Sequence, residues 1–259
     1  MLMPRIIPSL LVHNRGLVKT VKFKDPKYVG DPINAVRIFN EKKVDELIVT
    51  DIDATVQNRP PDFAMIGHLA AECRMPLCYG GGIRSVADAQ RVFALGVEKV
   101  ALSASAVANP ALVATIAEQV GRQSVIVVLD VRAARGGKYE VYTHNGRNAT
   151  GRDAVELAKE FEGLGAGEIV LNSIDRDGTM TGYDLTLVEQ VRQRISIPMT
   201  ILGGAGSLEH IRQLIAAQGI IGAAAGSLFV LKGPYKAVLI NYPSEGEKKK
   251  LAETPTQQA

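Results

Sequence analysis

The sequence predicts a single (β/α)₈ barrel assembled from two half-barrels. Three observations carry this. The chain has 259 residues, an ordinary length for one such barrel. Short apolar, β-branched runs alternate with longer segments of helical period. And the chain repeats itself: Asp45–Asp53 reappears as Gly167–Asp175, and Pro76–Ser85 as Pro198–Ser207, at one common offset, as expected when half of a chain has been duplicated from the other.

The predicted strands lie near Arg5–Leu11, Glu46–Ile52, Leu77–Tyr79, Lys99–Leu102, Val125–Asp130, Glu168–Asn172, Met199–Leu202 and Ile221–Ala224. Their continuous apolar character marks strands buried on both faces, as in a parallel sheet. Amphipathic stretches between them predict helices over Asp31–Lys42, Pro61–Cys73, Val86–Ala94, Pro110–Val120, Gly151–Leu164, Leu185–Gln193 and Leu208–Gln218. A doubly wound open sheet is the competing architecture and accounts less well for the repeat. Two segments break the rhythm at matching points of the halves. Arg15–Gly30 reads as a long, Lys-rich connection. Arg132–Arg147, with Gly136-Gly137 and Asn145-Gly146, reads as a hairpin. Both follow the carboxyl ends of strands, where loops build the active face of such barrels. The barrel is expected to occupy residues 1–243, and the polar stretch 244–259 to be a disordered tail.

Composition narrows the function. With 46% hydrophobic residues and a net charge of +3, nothing draws the chain as a whole toward nucleic acid, and a small phosphorylated or carboxylated molecule is the expected anionic partner. Cys73 and Cys78 sit in apolar sequence and are expected to be reduced, as in a cytoplasmic protein. No signal peptide and no membrane-spanning stretch is visible.

Glycine-rich turns at Gly80-Gly81-Gly82, Gly203-Gly204-Ala205-Gly206-Ser207 and Ala225-Gly226-Ser227 each end a strand and open a helix. Backbone N–H groups there can hold phosphate, although a tight turn that binds nothing looks the same. The last two turns follow strands seven and eight, where barrels often place a phosphate. A facing site from Gly82 and Ser103 is less convincing, since Ser103-Ala104-Ser105 lacks a glycine. Lys19 in the first long loop reads equally as a phosphate clamp or a solvated lysine. Asp130 ends strand five, Asp175, Asp177 and Thr179 follow strand six, and Asp51 and Asp53 follow strand two. Carboxylates converging on one barrel mouth suit proton transfer. No His or Cys spacing supports a metal, and no cofactor is expected. Arg5, Glu46, Lys99 and Glu168 stand at the first positions of strands one, two, four and six, at the barrel base. They read either as a salt-bridged plug or as a gate to an axial passage for something small and neutral.

Arg5-Ile6-Ile7-Pro8, Gly80–Ser85, Ser173–Thr179 and Gly203–Gly206 resemble, over nearly the whole chain, the HisF family, the cyclase subunit of imidazole glycerol phosphate synthase. The resemblance implies a lyase/cyclase subunit paired with a HisH-type glutaminase. Ammonia released by that partner would pass the Arg5/Glu46/Lys99/Glu168 gate and travel the barrel axis. Lys19, Asp51, Gly82, Ser103, Thr179, Gly203, Gly204, Gly226 and Ser227 would face the substrate, with catalysis at Asp130; a working cyclase would need a second acid such as Asp177, Asp51 or Asp53. One departure matters. The family uses one aspartate per half-barrel as acid and base; the second matches Asp130, and the first falls on Leu11. Ser9 stands where a cysteine is usual, and Ser103-Ala104 replaces an Asn-Thr pair. His13–Lys19 and Gly233–Pro243 resemble a second, HisF-like group that accompanies a glutaminase and a sugar amidotransferase in surface-polysaccharide (O-antigen, lipopolysaccharide) biosynthesis. That group implies ammonia delivery for amidation of a nucleotide-sugar. A scaffold that only activates the glutaminase is the remaining expectation.

Overall fold

The computed structural model describes residues 3–253. Eight parallel strands close into a barrel: Arg5–His13, Leu47–Asp51, Leu77–Gly80, Lys99–Leu102, Val125–Ala133, Glu168–Ser173, Met199–Leu202 and Gly222–Ala225. Each pairs with its successor, and the eighth returns to the first through Arg5 opposite Gly222 and Ile7 opposite Ala224. Strands five and six share the longest seam, from Glu168 opposite Ile126 to Ser173 opposite Val131. The expected strand and helix order is present throughout.

The duplication extends to the helix starts. Asp31 and Asp153 accept a backbone N–H from the first helical turn that follows them, as do Asp62 and Asp184, and Ser85 and Ser207. Such caps satisfy N–H groups that have no partner within the helix, worth about 1 kcal/mol each. They sit at equivalent positions in the two halves, so each half fixes its helices with the same chemistry.

Side chains alternate along the strands between two apolar layers. One layer packs strands against the outer helices, around Leu10, Val49, Tyr79, Val127 and Leu171. The other fills the lumen with Ile7, Ile48, Cys78, Ala101, Ile126, Val170 and Ala224. Several of these are small, and Thr200, opposite Val170, is a buried hydroxyl on the neighbouring strand.

Two segments differ from expectation. Arg15–Gly30 is not an open loop: Gly16–Val21 pairs antiparallel with both strand one and Lys24–Gly30. Leu17, Val18 and Val29 are buried by this pairing, which gives the segment an apolar side that a solvated connection would lack. The second insertion forms the predicted hairpin and enlarges it. Strand five continues to Ala133, pairs with Tyr139–Thr143, and that strand pairs with Asn148–Asp153. The stretch read as a disordered tail also contains a helix, Glu245–Ala252. Ser244 and Glu247 form a capping box, Lys248 Nζ bonds Asp45 at 2.6 Å, and Leu251 is buried. These contacts stabilise a segment whose composition is almost entirely polar. The rest of the expected tail, residues 254–259, lies outside the described residues.

Candidate functional site

The carboxyl ends of the strands open into a cleft that gathers Leu11, Lys19, Asp130, Asp177, Gly203, Gly204, Gly226 and Ser227. Lys19, two of the carboxylates and the glycine-rich turns after strands seven and eight therefore meet at one place. Asp130 is held by strand five, and Asn172, directly opposite it on strand six, donates Nδ2–H to its Oδ1 at 2.8 Å. Burial raises the Asp130 carboxyl to about 7; Asn172 opposes this and the Asp177 charge adds to it. A carboxyl poised near neutrality can both take and give a proton at physiological pH. Leu11 lines the same cleft, where the matching position of the first half offers only an isobutyl group.

Lys19 is buried at the wall of the cleft and donates to the Ser9 carbonyl at 2.6 Å. Burial lowers its ammonium to about 8, with Asp177 pulling the other way. Asp177 accepts from the Thr20 hydroxyl at 2.7 Å and from the Phe23 N–H at 3.2 Å. Burial raises its carboxyl, and these contacts and Lys19 oppose the rise. Strand six is thereby tied to the first hairpin, and the hairpin carries Lys19 over the mouth. Glycine is required here for space. A Cβ at Gly226 would lie 2.6 Å from Lys19 Nζ, and one at Gly204 (φ +106°) 2.0 Å from the Gly182 carbonyl. Gly226→Ala should displace Lys19 and weaken binding of a phosphorylated ligand at least tenfold with little change in Tm, as calorimetric titration would show.

A second cleft lies across the mouth, lined by Gly81, Gly82, Ser103, Ser105, His144 and Asn145, with Asp130 shared between the two. The hairpins meet above both. Asn145 Nδ2–H donates to the Ile52 carbonyl at 2.8 Å, and a Cβ on Gly146 would come within 3.3 Å of Phe23 and Ile174.

Four of the expected residues fall elsewhere. Asp51 accepts from the Asp53 and Ala54 N–H groups and pairs with Arg59 at 2.9 Å, lining a side crevice with Asp53 and Asp62. Asp53 is taken up by His13 Nδ1 and the Asn14 N–H, both at 2.7 Å. Asp175 likewise accepts from the Ala133 N–H. Thr179 bonds the Arg176 carbonyl and Thr181 and does not line the central cleft. Asn172, Thr20, Asn145 and His144 were not foreseen. Asn172 had one usable signal, its place opposite Asp130 on the neighbouring strand.

At the base, the four charged residues form a closed ring. Arg5 pairs with Glu46, and with Glu168 at 2.7 Å; Lys99 reaches Glu46 at 2.8 Å and Glu168 at 3.2 Å. The Thr200 hydroxyl also donates to Glu168. Burial works against the Glu168 charge, but Arg5, Lys99 and Thr200 hold its carboxyl below the usual range. Burial likewise opposes the Lys99 charge, and the two glutamates outweigh it and raise the ammonium. Immediately above lies the apolar lumen, beginning with Cys78 and Ile48. Among the described residues no group of three His, Cys, Asp or Glu side chains could hold a metal ion, and no helix is long and apolar enough to cross a membrane.

The class defined by fold and site is a duplicated (β/α)₈ barrel with two glycine-walled clefts at its mouth, a carboxyl between them and a charged ring at its base. The chain belongs to the histidine biosynthesis protein family, whose model matches residues 5–235, and within it to the HisF-like group. It is 54% identical, over 98% of both chains, to a Vibrio vulnificus protein provisionally named imidazole glycerol phosphate synthase subunit hisF3. It is 49% identical to a Pseudomonas aeruginosa protein provisionally named subunit hisF2, over 92% of this chain and 95% of that one. The imidazole glycerol phosphate synthase subunit HisF of Hyphomonas neptunium is 44% identical over 88% of this chain and 90% of its own length.

Proposed function

We propose that the chain is the synthase subunit of an imidazole glycerol phosphate synthase-type glutamine amidotransferase. A HisH-type glutaminase docks at the base and releases ammonia there. Ammonia passes the Arg5/Glu46/Lys99/Glu168 ring, crosses the apolar lumen and meets a phosphorylated substrate spanning the two clefts. The observation that carries this reading is Asp130, a half-buried carboxyl that lines both clefts and is raised to about 7 by desolvation. The names of the relatives support the same reading. In it Asp130 acts as general acid–base. Asp177, half-buried, is the second carboxyl lining the central cleft, whereas Asp51 and Asp53 line the side crevice.

Leu11 favours a second reading. A leucine moves no proton, so ring closure would have been given up and the barrel would pass ammonia on, for amidation of a nucleotide-sugar in surface-polysaccharide synthesis by a separate amidotransferase. The ammonia-dependent cyclase assay separates the two. With ammonium at alkaline pH and the phosphoribulosyl substrate of imidazole glycerol phosphate synthase, the first reading expects turnover by the native chain. The second expects none, with Leu11→Asp restoring about 10²-fold or more over background, the usual contribution of an acid–base group. Turnover by neither protein would remove ring closure from the account altogether.

A further inference from the structure

The two clefts at the mouth are chemically unequal. The first has Lys19 as its cation. Among the described residues the second has no lysine or arginine on its wall; its ionisable groups are Asp130 and His144. Its remaining donors are the Ser103, Ser105 and Thr55 hydroxyls and the backbone around Gly81 and Gly82. An anion seated beside Asp130 meets repulsion as that carboxyl ionises, with no lysine or arginine on the wall to offset it. His144 stands where that charge is needed. It occupies the hairpin tip, where it and Asn145 take left-handed backbone conformations (φ 53° and 58°). Such conformations are sparsely populated for residues other than glycine, and they persist only where the surroundings hold them. Here the Asn145 bond to the Ile52 carbonyl anchors the tip across the mouth. Thr143 Oγ1 engages His144 Nδ1 at 3.0 Å, and Nε2 has no hydrogen-bond partner among the described residues. The other three histidines lie outside both clefts: His13 bonds Asp53, His210 accepts from the Gly206 N–H, and His68 sits on the helix Phe63–Glu72.

We infer that His144 supplies the cation of the second anion subsite, its imidazolium Nε2–H holding a phosphoryl group against Gly82 and Ser103. The inference rests on the reading of the two clefts as anion sites and gives the second one a switch: it binds while the imidazole is protonated and releases as the proton leaves. Asp130 is the one other titratable group facing this cleft. Its ionisation weakens the anion in the same direction, so the test must read the imidazole itself.

Sulfate is the probe, because its charge is constant across the relevant pH range. The His144 ring is followed by proton–carbon NMR from pH 5 to 9, with and without sulfate, and assigned by its loss in His144→Gln. Amides of Gly82 and Ser103 report the second cleft, and those of Gly204 and Gly226 the first. The expected result is an upward move of the His144 titration on adding sulfate. His144→Gln should weaken sulfate at Gly82 and Ser103 about tenfold at pH 6, change it little at pH 8, and leave Gly204 and Gly226 unaffected. Sulfate that shifts Gly204 and Gly226 while the His144 titration stays in place overturns the inference and leaves the anion reading of the first cleft standing. If neither pair of amides responds, the anion reading itself fails, and the assignment of His144 with it.

Discussion

Asp130→Asn is expected to lower ammonia-dependent turnover by about 10²–10⁴-fold and, at the same time, to stabilise the fold above neutral pH. Both effects come from one property. The folded protein holds the Asp130 carboxyl at about 7, mainly by burial, whereas in the unfolded chain it titrates near 3.9. Between these values the native state binds the proton and the unfolded state does not. Stability associated with this group is therefore fully present below about pH 4 and is lost as pH rises through 7. The asparagine has no charge to bury and keeps a polar partner for Asn172, so its Tm should match the native protein near pH 4 and exceed it at pH 8, by an amount equivalent to a few kcal/mol at most. A variant that loses both activity and stability at pH 8 would mean that Asp130 is a structural acid satisfied by Asn172.

Glu168→Leu should have the opposite signature, a large loss of stability at every pH where Arg5 is charged. Glu168 is 4% exposed and partners Arg5, Lys99 and Thr200. Removing it leaves two cations facing Glu46 alone at the mouth of an apolar lumen. Breaking a buried ion pair on one side typically costs about 3–5 kcal/mol, and urea midpoints would show it. Replacing the whole ring with well-packed apolar residues should cost far less, since the desolvation of all four charges is relieved together. That contrast would separate a ring kept for stability from a ring kept for passage. A fold that tolerates an apolar base with no cost, yet loses glutamine-driven activity, places the selective value of the charges in transport.

Much of this was legible before any coordinates. The internal repeat fixed the barrel and its closure, because equivalent strands must occupy equivalent places. The position of Asp130 at a strand end, and of the four charges at strand starts, followed from the strand order alone. What the sequence concealed are contacts made across the mouth by residues distant along the chain. Lys19 reads as an ordinary loop lysine, and only the pairing of Gly16–Val21 with strand one buries it under Ser9. Asn145 and His144 look like turn residues, which they are; their approach to Ile52 and Ser103 depends on the length of the extended strand five. Asp51 reads as a ligand group from its place after strand two, yet Arg59, a residue with no periodic signature, pairs with it. The terminal helix was missed because its apolar face is reduced to Leu251. Its capping signal, Ser244 followed by Glu247, stood in a stretch otherwise dominated by charge.

The central claim is that ammonia enters at the charged base and is used at the Asp130 face. The most direct measurement compares glutamine-driven with ammonium-driven product formation by the chain assembled with its HisH-type glutaminase, for the native ring and for Glu46→Ala, normalised to folded complex. Free ammonium can reach the mouth from solvent, whereas on the proposed route glutamine-derived ammonia crosses the ring. The account predicts that Glu46→Ala impairs the glutamine-driven rate several-fold more than the ammonium-driven rate. Equal losses in the two rates would contradict it, and would leave the ring as a plug.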